Sequence, residues 1–175
     1  MDYETKYWDP SPLWSVSRQS DRDYEENFEF VYNGVIFVGI NLVAGTQLDE
    51  QAWQNRLEAN LDWIDEAYTK SSEGAQVMVI FAHGAPGSAL NAPFYASFFE
   101  RVADNYSDLK VVLIHRNLIS QTGGKNKDYQ GIPNLEVVVA EGAIWPPLRV
   151  EIDFTDGVEV RMDQEEWYDK LVQGG

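Results

Sequence analysis

Cysteine is absent from the 175 residues of this chain. That excludes disulfides, thiolate metal sites and cysteine nucleophiles, and it leaves the redox compartment open. Positive charge is scarce: 13 lysines and arginines stand against 29 carboxylates, a net charge of −16. Such a surface repels phosphate, so bare nucleic acid and anionic membranes are poor partners. No acidic block is long enough to form a tail. The charge reads as a solubilising surface, with attraction to cations or a basic protein as the alternative. Long apolar runs are also missing. The longest, at 35–40 and 77–82, fall far short of the ~20 residues that span a bilayer. The opening Met1-Asp2-Tyr3-Glu4 has neither the basic region nor the apolar core of a signal peptide. Histidine occurs only twice, at His83 and His115.

What is present suits a globular domain. The chain is 44% hydrophobic and 13% aromatic, and its length fits one domain with a sizeable core. Residues 1–27 stand apart as an acidic, aromatic arm (Tyr3, Tyr7, Trp8, Trp14, Tyr24) with little aliphatic periodicity. The arm is expected to pack by its aromatics, on its own domain or on a partner. From Phe28 the pattern is regular. Two β-rich runs flank Asn33-Gly34, a pair that supplies the positive φ angles of a tight hairpin. Asp49 opens a long helix in which Trp53, Leu57, Leu61, Ile64 and Tyr68 share one face.

An apolar run ending at His83 follows, then a Gly/Pro loop and a second helix over about Ala92 to Asn105. Lys110–His115 is the next strand, and Arg116–Pro133 reads as a polar surface loop. Leu135–Ala140 is another strand. Leu148, Val150, Ile152 and Phe154 alternate with polar residues and turn back through Thr155-Asp156-Gly157, as in a half-buried antiparallel edge. Residues 163–175 form a short helix or tail. The expected fold is therefore α/β: a layered sandwich half-domain with a largely parallel central sheet, two main helices and a C-terminal antiparallel hairpin.

Two familiar frames are excluded. Gly123-Gly124-Lys125 lacks the spacing and the Ser/Thr of a phosphate loop. Ser88 lacks the glycine frame of a nucleophile elbow. The two histidines carry more. In open α/β sheets ligands bind at the carboxyl ends of the strands, neighbouring strands lie roughly 5 Å apart, and imidazole is the commonest metal ligand. His83 and His115 at adjacent strand ends could share a metal or a phosphate.

The wording of these segments resembles calcineurin-like metallophosphoesterases. The segments are Asn27–Val31 with Gly34–Gly45, Asn60-Leu61-Asp62-Trp63-Ile64, Val79–Pro86, Val111–His115, and the stretches at 131–135 and 146–150. The resemblance runs over about 28–162 and covers the C-terminal half of that family only. It implies phosphate-ester hydrolysis at two divalent metals (Mn, Fe or Zn), one ion activating water while both stabilise phosphoryl charge. By resemblance His83 is the lone metal-binding histidine and His115 the first histidine of the late motif, both on the same metal.

The departures are large. Asp-x-His, Gly-Asp and Asn-His occur nowhere in the chain, as though it begins after the family's N-terminal half. The histidine expected shortly after His115 is missing, and Arg116 stands there instead, a candidate to hold phosphate. Asp108, Asp128 and Glu141 carry no motif that would make them ligands. The implied site is incomplete, and so is the implied sandwich, whose uncovered sheet calls for a protein partner, the missing half or a second copy. Three functions stay open: a split half of an active phosphoesterase, a degenerate non-catalytic interaction subunit, and a hydrolase with a reduced site.

Overall fold

The computed structural model describes residues 15–43, 45–117, 124–125, 131–141, 147–163 and 166–173. Two antiparallel strands form the first ladder. β1 (Ser17–Gln19) pairs with β2 (Tyr24–Tyr32), and β2 turns into β3 (Val35–Gly39) through Asn33-Gly34. Both turn residues have positive φ, 48° and 76°, which the twist of a two-residue hairpin demands. The helix α1 (Glu50–Ser71) leads to β4 (Val77–Ala82), and α2 (Ala92–Asp104) leads to β5 (Lys110–Asn117). The short β6 (Gly124–Lys125), then β7 (Leu135–Glu141), complete the main sheet. β8 (Arg149–Asp153), β9 (Glu159–Asp163) and α3 (Glu166–Gln173) close the chain.

The seven strands stand in the order β1-β2-β3-β4-β5-β7-β6. β3, β4, β5 and β7 are parallel to one another, and the outer pairs are antiparallel. Each new parallel strand is added on the same side of the last. Right-handed crossovers then place both connecting helices on one face. The α/β architecture read from the sequence is the one observed, and no helix among the described residues is long and apolar enough to cross a membrane.

Alternation divides the strands cleanly. Ile36, Val38, Met78, Ile80, Val111 and Leu113 point to the helices and are buried with Leu57, Ile64, Phe94 and Phe98. Asp49 starts α1 as its N-cap, its carboxylate accepting from Ala52 N at 2.9 Å and satisfying one of the orphan amides of the first turn. The opposite residues, Val35, Val77, Val79, Val112 and Val138, form a smaller core with Val160 and the hairpin β8–β9. That hairpin is a separate two-stranded sheet. It is not the antiparallel edge expected from its alternation: its apolar side lies across the sheet face rather than extending the sheet's ladder.

Residues 15–27 join the sheet more closely than their composition suggests. β2 begins at Tyr24, and Gln19, Asn27 and Asn60 are fully buried as a polar cluster. Asn27 donates to Gln19 Oε1 and to Asn60 Oδ1, both at 2.8 Å, and accepts from Asn41 N at 2.7 Å. Gln19 donates onward to the Ala59 carbonyl and Asn60 to that of Asn41. Buried amides are tolerated because each finds its partners. The cluster ties β1, β2 and α1 to the loop that follows β3. The expected arm residues 1–14 lie outside the described residues.

Candidate functional site at the strand ends

The carboxyl ends of β3, β4 and β5 bound a shallow cleft of about 440 Å³, lined among others by Asn41, Phe81, His83, His115, Arg116 and Ala140. The loop that carries His83 is pinned at several points. Ile40 N donates to Phe81 O at 3.0 Å, and Gly84 N donates to Leu42 O. Tyr95 Oη donates to the Gly84 carbonyl, and Asn91 Nδ2 to that of Val43 at 3.1 Å. Gly84 is required there. A Cβ at that position would lie 2.1 Å from Asn91 Nδ2 and 2.9 Å from the Val43 carbonyl oxygen. Asn91 precedes the first turn of α2 and is itself buried. The helix end therefore clamps the His83 loop.

Register brings the two histidines to the same end of the sheet. His115 pairs with Ala82, one residue before His83. Their surroundings differ. His115 shares parity with Val111 and Leu113 and so turns toward the helix side, where it is only 4% exposed. Its Nδ1 lies 3.1 Å from the Arg116 carbonyl, which can only accept, so Nδ1 carries the proton and Nε2 presents a bare lone pair. That Nε2 has no hydrogen-bond partner among the described residues. Burial lowers the imidazole's affinity for a proton, only partly offset by the carbonyl bond, and the ring stays neutral at neutral pH.

His83 is half-buried, and its Nε2 lies 3.4 Å from Arg116 Nη1. A guanidinium has only donors, so the ring nitrogen is the acceptor in that contact. Arg116 follows Ile114 by two residues along β5 and thus stands on the hairpin side of the sheet. In a chain this acidic, its neighbourhood is unusual. Arg22, Arg56, Arg101, Arg149 and Arg161 each pair with a carboxylate. Among the described residues Arg116 meets His83 alone.

No group of three His, Cys, Asp or Glu side chains suited to a cation occurs among the described residues. The lone pair of His83 faces a fixed positive charge rather than open space, which disfavours a second cation and suits an anion. Glu26, also in the cleft, is committed to Arg56 and to Asn41 Nδ2 at 2.8 Å. Burial alone would raise its carboxyl, but those two bonds and the arginine charge outweigh it and keep the group ionised. Asp108 precedes β5, at the opposite end of that strand, and accepts from Tyr68 Oη at 2.7 Å. The Glu141 backbone closes β7, while Asp128 and the Glu141 side chain lie outside the described residues.

Beside the cleft lies a feature the sequence did not disclose. A trough of about 600 Å³ runs between the sheet and the hairpin, lined by Phe37, Phe81 and Ile114 on one side and Leu148, Val150 and Phe154 on the other. Phe81, Ile114 and Ala140 border both hollows. Comparison with family models, with curated proteins and with solved structures returned no match.

Proposed function

We propose that this chain is a metallophosphoesterase-like domain that does not hydrolyse phosphate esters on its own and serves as a binding module. The observation that supports this reading is the Arg116 guanidinium against Nε2 of His83. A ligand lone pair directed at a fixed cation is a poor start for a divalent metal and a good one for an anion. The wording of the strands and loops around His83 supports the phosphoesterase ancestry. The strand-end position supports a ligand site.

His115 supports a second reading, in which the chain hydrolyses phosphate esters once a further segment or chain supplies the missing ligands. Its proton is held on Nδ1 by a backbone carbonyl, and its Nε2 is unpartnered among the described residues. That is how a metal-binding imidazole is usually prepared. A divalent ion bound there would polarise a phosphoryl oxygen and activate water. The residues in hand would only orient it.

One experiment separates the two. The purified chain is titrated with Mn²⁺, Fe²⁺ and Zn²⁺ and assayed on bis-p-nitrophenyl phosphate and p-nitrophenyl phosphate. The expected result is neither stoichiometric metal nor turnover, in the parent chain and in Arg116→Ala alike. Stoichiometric metal with turnover abolished by His83→Ala would overturn the non-catalytic reading.

A further inference from the structure

Beyond that reading, we infer that the trough and the cleft are one binding site, and that it takes a single-chain amphiphile: an alkyl chain carrying an anionic carboxylate or phosphate head. The trough follows the sheet from the β2–β3 turn to the carboxyl ends of β4 and β5. It therefore runs the five-residue length of β3, about 16 Å at the strand rise of 3.3 Å. Its volume lies within the range of small-molecule sites, and its walls are hydrocarbon and aromatic. Phe81 is still 37% exposed there, although it stacks at 6.5 Å on Phe37. An aromatic side chain this open, in a hollow already walled on two sides, is an apolar surface that an alkyl chain would cover.

The anionic head follows from charge and register. Phe81 pairs with Ile114, and Arg116 pairs with Ala140. The residues shared by the two hollows thus lie directly beneath Arg116 and on its face of the sheet. Five arginines of this acidic chain are neutralised by carboxylates, and among the described residues Arg116 has only the ring nitrogen of His83. An arginine fork at the mouth of an apolar trough selects a head group that is planar or tetrahedral and negative. A neutral or cationic head would leave it unanswered.

The full chain is titrated with dodecanoate, dodecyl phosphate and dodecanol, each below its aggregation limit, by calorimetry and native mass spectrometry. One molecule per chain is expected. Affinity should rise about fourfold per methylene between octanoate and dodecanoate. Arg116→Gln should weaken both anions by about tenfold or more and leave dodecanol unchanged. Comparing dodecanoate with dodecyl phosphate identifies the head. Ala140→Trp, which fills the junction of the two hollows, should abolish binding of all three. Should that variant fail to fold, Val150→Phe, which narrows the trough from the hairpin side, should weaken binding of all three.

Equal binding of acid and alcohol, or indifference of the acid to Arg116→Gln, overturns the inference. So does a chain that self-associates and excludes every probe, which would assign the face to a second copy. Binding that appears only in the Trp8→Ser/Trp14→Ser chain would assign the trough to the chain's own amino-terminal residues, and would equally overturn it. Hydrolysis of the phosphoesterase substrates enters none of these readouts, so each proposal fails separately.

Discussion

The two faces of the central sheet are built on different terms. On the helix face, Phe94, Phe98, Val102 and Tyr106 of α2 and its end, with Ile64 of α1, are almost fully buried, and the polar groups that go under with them are mostly paired. Tyr106 shows how far this goes: burial and its bond to Asp65 hold its proton far above the ordinary phenol range. On the hairpin face, a row of valines makes the core, and of the covering hydrocarbon only Val160 is buried while Leu148, Val150, Ile152 and Phe154 stay partly exposed. A trough stays open between them. One face is closed hydrocarbon, and the other leaves part of its hydrocarbon uncovered. A void of that size on the helix face would cost stability directly.

Paired truncations would break this comparison if it is wrong. Phe98→Ala on the helix face should destabilise the chain by about 3–5 kcal/mol, read from urea unfolding. Val150→Ala on the hairpin should cost less than about 1 kcal/mol, because much of its surface already faces the trough. Similar losses at the two sites would mean that the hairpin face is as much a core as the helix face.

A second, smaller effect tests whether the helix face depends on its polar cluster as well as its hydrocarbon. Asn27→Leu keeps the volume and removes three hydrogen bonds, leaving Gln19, Asn60 and the Asn41 amide short of partners. The expected cost is about 2–3 kcal/mol, the desolvation of groups left unsatisfied.

The smallest effect is a pH dependence at the boundary of the two faces. His115 is neutral when folded, with its affinity for a proton lowered by burial, whereas in the unfolded chain it titrates near 6.5. Its contribution is complete above that value and is lost as pH falls through 6.5 toward the lower folded value. The slope is at most about 1.4 kcal/mol per pH unit. His115→Leu should flatten the stability profile between pH 7 and 5. An unchanged profile would show that the ring is not buried in solution as it is here.

Much of the helix side was legible because periodicity reports burial. The spacing from Trp53 to Tyr68, opened by Asp49, describes α1 to within a residue of its observed start. Asn33-Gly34 marks its turn because few other pairs accept two positive φ values. Residues 17–27 were not legible in the same way. They are anchored by the buried amides of Gln19 and Asn27, and no hydropathy pattern registers an amide that finds its partners across 33 residues of sequence.

Of the candidate site, strand-end position singles out the two histidines. Arg116 stands out only through the resemblance, and the polar run it opens reads as a loop, whereas β5 continues to Asn117. With the strand extended that far, alternation along Val111-Val112-Leu113-Ile114-His115-Arg116 sets His115 and Arg116 on opposite faces. The trough was hidden for another reason. It is set by the spacing between two layers, and alternation in β8 says that one side is apolar without saying what that side lies against.

The hairpin's own hydrogen-bond ladder has a temporal consequence. β8 and β9 satisfy each other, and among the described residues no backbone hydrogen bond joins them to the seven-stranded sheet. The central strands thus need nothing from the last thirty or so residues to complete their pairing. Because β8 and β9 follow β7 along the chain, the sheet and its helices can assemble during synthesis before the hairpin segment has emerged from the ribosome. Until that segment emerges, the valine face is bare, and the trough comes into being only when Leu148, Val150 and Phe154 arrive to wall it.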